Sequence, residues 1–149
     1  MDINNFQRIG ALSNAHAGDE FEAAAQNFFA QQGVILNRNF PVSVGAADIK
    51  KQRKFDLGSS EPPILVECKS HTWTKGNNSP SAKITTWNEA MYYFHIAPER
   101  FRKVFFVLMS VRNGISLAAH YLKNYRHLVP RGVEIWEYDA VAQSAERVF

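Results

Sequence analysis

Apolar positions recur along this chain with two periods, and the switches between them mark out its elements. Phe21, Ala24, Ala25, Phe28 and Phe29 fall at helical spacing and predict a helix over residues 14–32, ended by Gly33. Residues 34–44 read as extended. Pro41 within them assigns that strand to a sheet edge, because proline has no N–H to give to a ladder. Two more strands are expected over residues 53–57 and 64–69, with Gly58-Ser59-Ser60-Glu61-Pro62-Pro63 as the hairpin turn between them. A second helix is expected over 81–96, where Ile84, Trp87, Met91 and His95 share a face and Pro98 follows. Val104-Phe105-Phe106-Val107-Leu108-Met109 reads as a buried strand over 103–109. A third helix over 116–128 turns Leu117, His120, Tyr121 and Tyr125 or Leu128 inward. A strand over 133–136 and a short helix over 140–148 close the chain. The order α-β-β-β-α-β-α-β-α predicts an α/β fold with a central mixed β-sheet flanked by helices, as one domain over residues 1–149.

Composition narrows the class. The chain has 149 residues, 46% hydrophobic and 21% charged, which suits a globular domain with its own core. No apolar run approaches the ~20 residues of a membrane span, and Met1-Asp2-Ile3-Asn4-Asn5 lacks a secretion-signal profile. Cys68 is the single cysteine, which excludes a disulfide framework and a zinc cluster. These features predict a cytoplasmic protein with no membrane partner. The net charge of +3 permits a polyanionic partner without requiring one. Its placement says more: Lys50-Lys51-Gln52-Arg53-Lys54 runs up to Asp56, Arg100, Arg102 and Lys103 cluster later, and Arg126 and Arg131 flank the end of the third helix.

The strand Ile64-Leu65-Val66-Glu67-Cys68-Lys69 carries the chemistry. Glu67 and Lys69 are two residues apart and share a face, while Cys68 turns the other way with Val66 and Ile64. The hairpin folds Asp56 back toward Glu67, where cross-strand neighbours have Cβ atoms about 5 Å apart and diagonal ones about 7 Å. Carboxylates that close repel unless a cation lies between them, and a hard divalent ion such as Mg²⁺ suits oxygen donors. The plainer reading makes Asp56 a turn residue and Glu67 and Lys69 a solvated pair. Against it, acids are poor strand residues, yet these two flank an apolar strand. Asp48 is a rival for Asp56 but lies farther from the turn.

This constellation resembles the PD-(D/E)xK nuclease superfamily, with its restriction-endonuclease-like fold. That family places an acid on one strand and Glu-x-Lys on the next, here Asp56 and Glu67-Cys68-Lys69. Its opening helix often carries a further Glu, here Glu22 in Gly18-Asp19-Glu20-Phe21-Glu22. The order of elements matches over roughly residues 13–138, and Phe55 stands where the family has proline before the first acid. The resemblance implies a Mg²⁺- or Mn²⁺-dependent endonuclease that hydrolyses DNA phosphodiesters, leaving a 5′-phosphate and a 3′-hydroxyl. It implies Asp56, Glu67, Lys69 and Glu22 as catalytic residues. The metal would be held by Asp56, Glu67 and the Cys68 carbonyl, with Glu22 as a further ligand. Lys69 would orient the attacking water and stabilise developing negative charge. Glu22 also has a bland reading, since helix starts favour acids.

Around this centre, Lys54, His71, Trp73, Lys75 and Lys83 are candidates for gripping nucleic acid, by phosphate contact or base stacking. Each has a structural alternative: a polar loop group for His71, an anchor into the core for Trp73, solvation for the lysines. Lys83, Thr85, Thr86 and Asn88 would line the cleft from the second helix. Cys68 reads as a small buried hydrophobe. The expected partner is nucleic acid, DNA above all, with a homodimer or a larger nuclease complex supplying the second site that duplex cleavage needs. Two alternatives stay open: a catalytically inactive nucleic-acid-binding or assembly module with the same fold, and a hydrolase of other phosphoesters.

Overall fold

A computed structural model of the chain describes residues 11–76 and 80–149, with side chains in the first helix from His16 onward. The chain opens with α1 (Ala11–Gln31). Ala17, Phe21, Ala25 and Phe29 recur every fourth residue and form its buried stripe. Gly33, at φ 83°, ends it. The Gly33 N–H reaches the Ala30 carbonyl and the Val34 N–H the Phe29 carbonyl, a Schellman closure that a Cβ-bearing residue would strain.

There follow β1 (Asn37–Val44), β2 (Lys51–Ser60), β3 (Pro63–Lys69), α2 (Ser81–Ile96) and β4 (Arg102–Leu108). A small hairpin of β5 (Val111–Arg112) and β6 (Ile115–Ser116) leads into α3 (Leu117–Tyr125) and a 3₁₀ turn (Arg126–Leu128). Then come β7 (Val133–Asp139) and β8 (Ser144–Arg147). The main sheet has six strands in the order β1-β2-β3-β4-β7-β8. β3, β4 and β7 run parallel; β1–β2, β2–β3 and β7–β8 pair antiparallel. The mixed α/β sheet is therefore as expected, and β1, with Pro41, is an edge strand.

Parallel neighbours need crossovers, and α2 and α3 supply them on one face. There Trp87, Phe94, Phe105, Leu117 and Tyr121 pack with Phe55 and Leu65. On the other face α1 covers Leu57, Ile64, Val66, Val104 and Phe106. Among the described residues no helix is long and apolar enough to cross a membrane.

Several local expectations are corrected. Residues 140–148 form a turn and β8, not a helix. Asp139 Oδ1 accepts the Val141 and Ala142 N–H groups, and Gln143, at φ 52°, sends the chain back along β7. The β2–β3 turn is tighter than the Gly58–Pro63 spacer suggested, because Ser60 already pairs with Pro63. On α2 the buried positions are Ile84, Trp87, Ala90, Met91 and Phe94, while His95 is exposed. On α3 Leu122 is buried, and Leu128 lies exposed beyond the helix. The β5–β6 hairpin was not anticipated, although Asn113-Gly114, both at positive φ, is the dipeptide that two-residue hairpins favour.

Candidate active site

The β2–β3 ladder runs from Ser60 and Pro63 to Leu57 and Val66 and then stops. One step further would set Asp56 opposite Glu67. Instead of a backbone bond, Asp56 Oδ2 accepts the Cys68 N–H at 2.8 Å. A side chain thus closes the gap between two strands in the middle of the sheet, beside the carboxyl end of parallel β3. Crevices outside carboxyl strand ends are where open α/β sheets bind ligands.

A break in strand alternation opens the gap. Arg38 reaches Asp19 and Glu22 on α1, yet Phe40, two residues on, packs in the opposite layer against Phe101. On the partner strand Phe55 packs on Phe94, while Leu57 joins the α1 layer. Residues two apart on a regular strand share a face. Between these pairs sit Asn39, at φ 53°, and Asp56. Gly58 is needed just beyond, because a Cβ there would lie 2.6 Å from the Phe40 ring.

Glu67 is 2% exposed. Its Oε1 lies 3.3 Å from the Arg53 guanidinium, and its carboxyl shares a hydrogen bond with Asp56. Burial first, and the Asp56 charge second, push its pKa from 4.5 up to about 8, against the pull of Arg53 and Lys69. Glu22 is likewise raised to about 7, by burial and then by Asp56, against Arg38. Arg38 holds Glu22 at 3.3 Å and Asp19 at 2.7 Å. Asp56 is thus flanked by Glu67 and Glu22. Burial, then the charges of Asp56, Glu22 and Glu67, drive the Cys68 thiol well above its ordinary range, so it is no nucleophile.

Lys69 ends β3, partly exposed, and its charge acts on both Glu67 and His71. His71 Nδ1 accepts the Trp87 indole N–H at 3.0 Å. Burial, followed by the charges of Lys69 and Lys83, lowers its pKa to about 4. Trp73 is held by three neighbours. Its indole N–H donates to the Ile115 carbonyl at 3.1 Å, the Arg112 guanidinium lies 4.1 Å from its ring centroid, and His120 meets its edge. It pins the loop to the β5–β6 hairpin, the anchoring alternative. Lys54 and Lys75 are exposed and Lys83 is half-buried. Thr85 and Thr86 donate to carbonyls of their own helix, and Asn88 accepts from the Tyr121 hydroxyl at 2.8 Å. Asn77, Asn78 and Ser79 of the same loop lie outside the described residues. Asp48 is exposed in the loop between β1 and β2.

Of the remaining basic residues, Arg102 is bound bidentately by Glu134, and Lys103 donates to the Ala97 carbonyl. Both sit at the amino end of β4, away from Lys69. Arg53 is the site residue missed in the sequence. It looked like one member of a basic run, yet its guanidinium stacks 3.9 Å from the Tyr93 ring centroid of α2 and reaches Glu67.

Among the described residues no three Asp, Glu, His or Cys side chains are grouped to hold a metal ion. Asp56 and Glu67 form a pair, and a third donor has to come from the backbone or from water. All-oxygen donors and an excess of confined negative charge fit a hard divalent cation. In comparisons with protein-family models, curated proteins and solved structures, nothing matches this chain.

Proposed function

We propose that the chain is a metal-dependent endonuclease of the PD-(D/E)xK type, with the restriction-endonuclease-like fold, acting on DNA phosphodiesters. The observation that carries this reading is the interrupted β2–β3 ladder. It sets two carboxylates face to face, one of them buried, with Lys69 on the same strand. A fold gains no stability from such a pair, so a functional role accounts for it better than a structural one.

On this reading Asp56, Glu67 and the Cys68 carbonyl hold Mg²⁺ or Mn²⁺, and Glu22 tunes the site from α1. The ion, when bound, supplies an acidified water and neutralises phosphate charge. Lys69 donates to the reacting phosphate and stabilises the charge that develops on it. Arg53 holds Glu67 through their ion pair. On the same reading Lys54, Lys75 and Lys83 contact backbone phosphates.

A catalytically inactive nucleic-acid-binding or assembly module is the second reading. The Arg53–Glu67 ion pair favours it, because it satisfies Glu67 with a cation of the chain's own. Incubation with supercoiled, linear and single-stranded DNA in Mg²⁺ or EDTA separates the two. The nuclease reading expects Mg²⁺-dependent cleavage that Lys69→Ala and Asp56→Asn abolish, with the melting transition retained. Asn keeps an acceptor for the Cys68 N–H. Binding without cleavage in either Mg²⁺ or Mn²⁺ selects the module.

A further inference from the structure

His71 is fixed by a residue that the chemistry of the carboxylates does not use. Trp87 is wholly buried in the α2 layer, and its indole N–H donates to His71 Nδ1 at 3.0 Å. Indole nitrogen is a donor only, so this bond defines the imidazole: Nδ1 is the acceptor. A neutral ring in that state carries its proton on Nε2. Burial, and after it the charges of Lys69 and Lys83, keep the ring neutral at physiological pH. Nε2–H is therefore a fixed, uncharged donor, and the Trp87 anchor does not consume it. The charges of Lys69 and Lys83 both act on this ring, and that of Lys69 acts on Glu67 as well. One oriented N–H in the field of two ammonium charges suits an oxyanion.

We propose that His71 and Lys83 form a second phosphate subsite beside Lys69, so that the substrate is a polynucleotide held by a phosphate next to the one that reacts. This rests on the nuclease reading for the identity of the reacting phosphate. Hydrolysis of isolated phosphoesters would leave His71 and Lys83 without a partner.

Two substitutions separate this role from a merely structural one. In His71→Asn the amide oxygen lies near the Nδ1 position and still accepts from Trp87, but the Nε2–H donor is lost. In His71→Gln an amide N–H is restored near the Nε2 position. The measurement is fluorescence anisotropy of a labelled oligonucleotide, single-stranded and duplex, in EDTA, alongside thermal melts. His71→Asn is expected to bind roughly tenfold more weakly with an unchanged melting temperature, and His71→Gln to stay close to wild type. Lys83→Ala should weaken binding for all sequences and reduce the salt slope by about one. Wild-type affinity in His71→Asn, equal weakening in His71→Gln, or absence of oligonucleotide binding by the wild type overturns the proposal. Binding that depends on His71, without metal-dependent cleavage, sinks the nuclease reading and leaves the subsite standing.

Discussion

Glu67→Gln should stabilise the protein in the absence of metal, by an amount that grows with pH. The folded carboxyl is raised from 4.5 to about 8 by burial and by Asp56. A raised acid contributes stability that is fully present below its unfolded value and is lost as pH rises through the folded one. Each unit is worth about 1.4 kcal/mol, so holding Glu67 protonated in the fold, when the unfolded chain would ionise it, costs roughly 3 kcal/mol at pH 7. The Asp56 charge contributes part of that cost, so about half of it, or 1–2 kcal/mol, is the share a change at Glu67 alone removes. Glutamine is nearly isosteric, does not titrate, and its amide can donate to Asp56 as the protonated acid does. For a chain of this size the gain corresponds to about 2–8 °C in melting temperature. Melts in EDTA at about pH 5, 6, 7 and 8 read it out, the difference from wild type being small at the acid end. Equal stabilisation at every pH, or a Glu67→Gln protein less stable than wild type at the alkaline end, would refute the account.

Other expectations follow from single contacts. Gly58→Ala forces a methyl to 2.6 Å from the Phe40 ring, which is packed against Phe101, and should cost about 1–3 kcal/mol in a denaturant titration. Burial raises the Glu134 carboxyl, but hydrogen bonds from Arg102 and Trp136 outweigh it, and its pKa ends below the ordinary value. That contribution is present above the unfolded value and is lost as pH falls through the folded one, so acid titration of wild type should show a slope that Glu134→Gln flattens. In Mg²⁺, plasmid nicking by Lys69→Ala or Asp56→Asn at the wild-type rate would end the catalytic assignment.

What the sequence disclosed is what short-range rules govern. Pro62 and Pro63 mark the hairpin, while Gly58, read as part of the turn, pairs with Leu65 inside the ladder; the spacing from Asp56 to Glu67 then places the acids across from each other. Glu67 and Lys69 share a face through strand periodicity alone. Arg53 was illegible because its role depends on the break at Asn39 and Asp56, which lays the outer half of the β1–β2 ribbon over α2. No local pattern encodes where a bent ribbon lands. Residues 140–148 misled because their spacing suits a helix, while pairing with β7 decides the outcome. Trp73 and Lys75 looked alike as loop residues beside a cleft. Only the β5–β6 hairpin, forty residues on, separates an anchored indole from an exposed ammonium.

The distribution of counter-charge around the carboxylates bears on why the fold tolerates them. Glu67 is met by Arg53 and Glu22 by Arg38. Each arginine leaves its Nε buried without a partner, so neither is optimally used as a structural ion pair. Asp56, between the two acids, is met by the neutral Cys68 N–H. A protein shaped only for stability would fill this crevice with apolar side chains, since buried ionic groups are often replaced at no cost. Here the arginines steady the outer acids, and among the described residues the central one forms no ion pair; its carboxylate closes the gap. On the proposed reading that arrangement keeps the apo protein folded while reserving the centre for a divalent cation. It ties the two readings of the site to one quantity. If the arginines already complete the charge balance, Mn²⁺ will not raise the melting temperature of the wild type. If the centre is reserved, Mn²⁺ will raise it in proportion to the logarithm of its concentration, and Asp56→Asn will remove the effect.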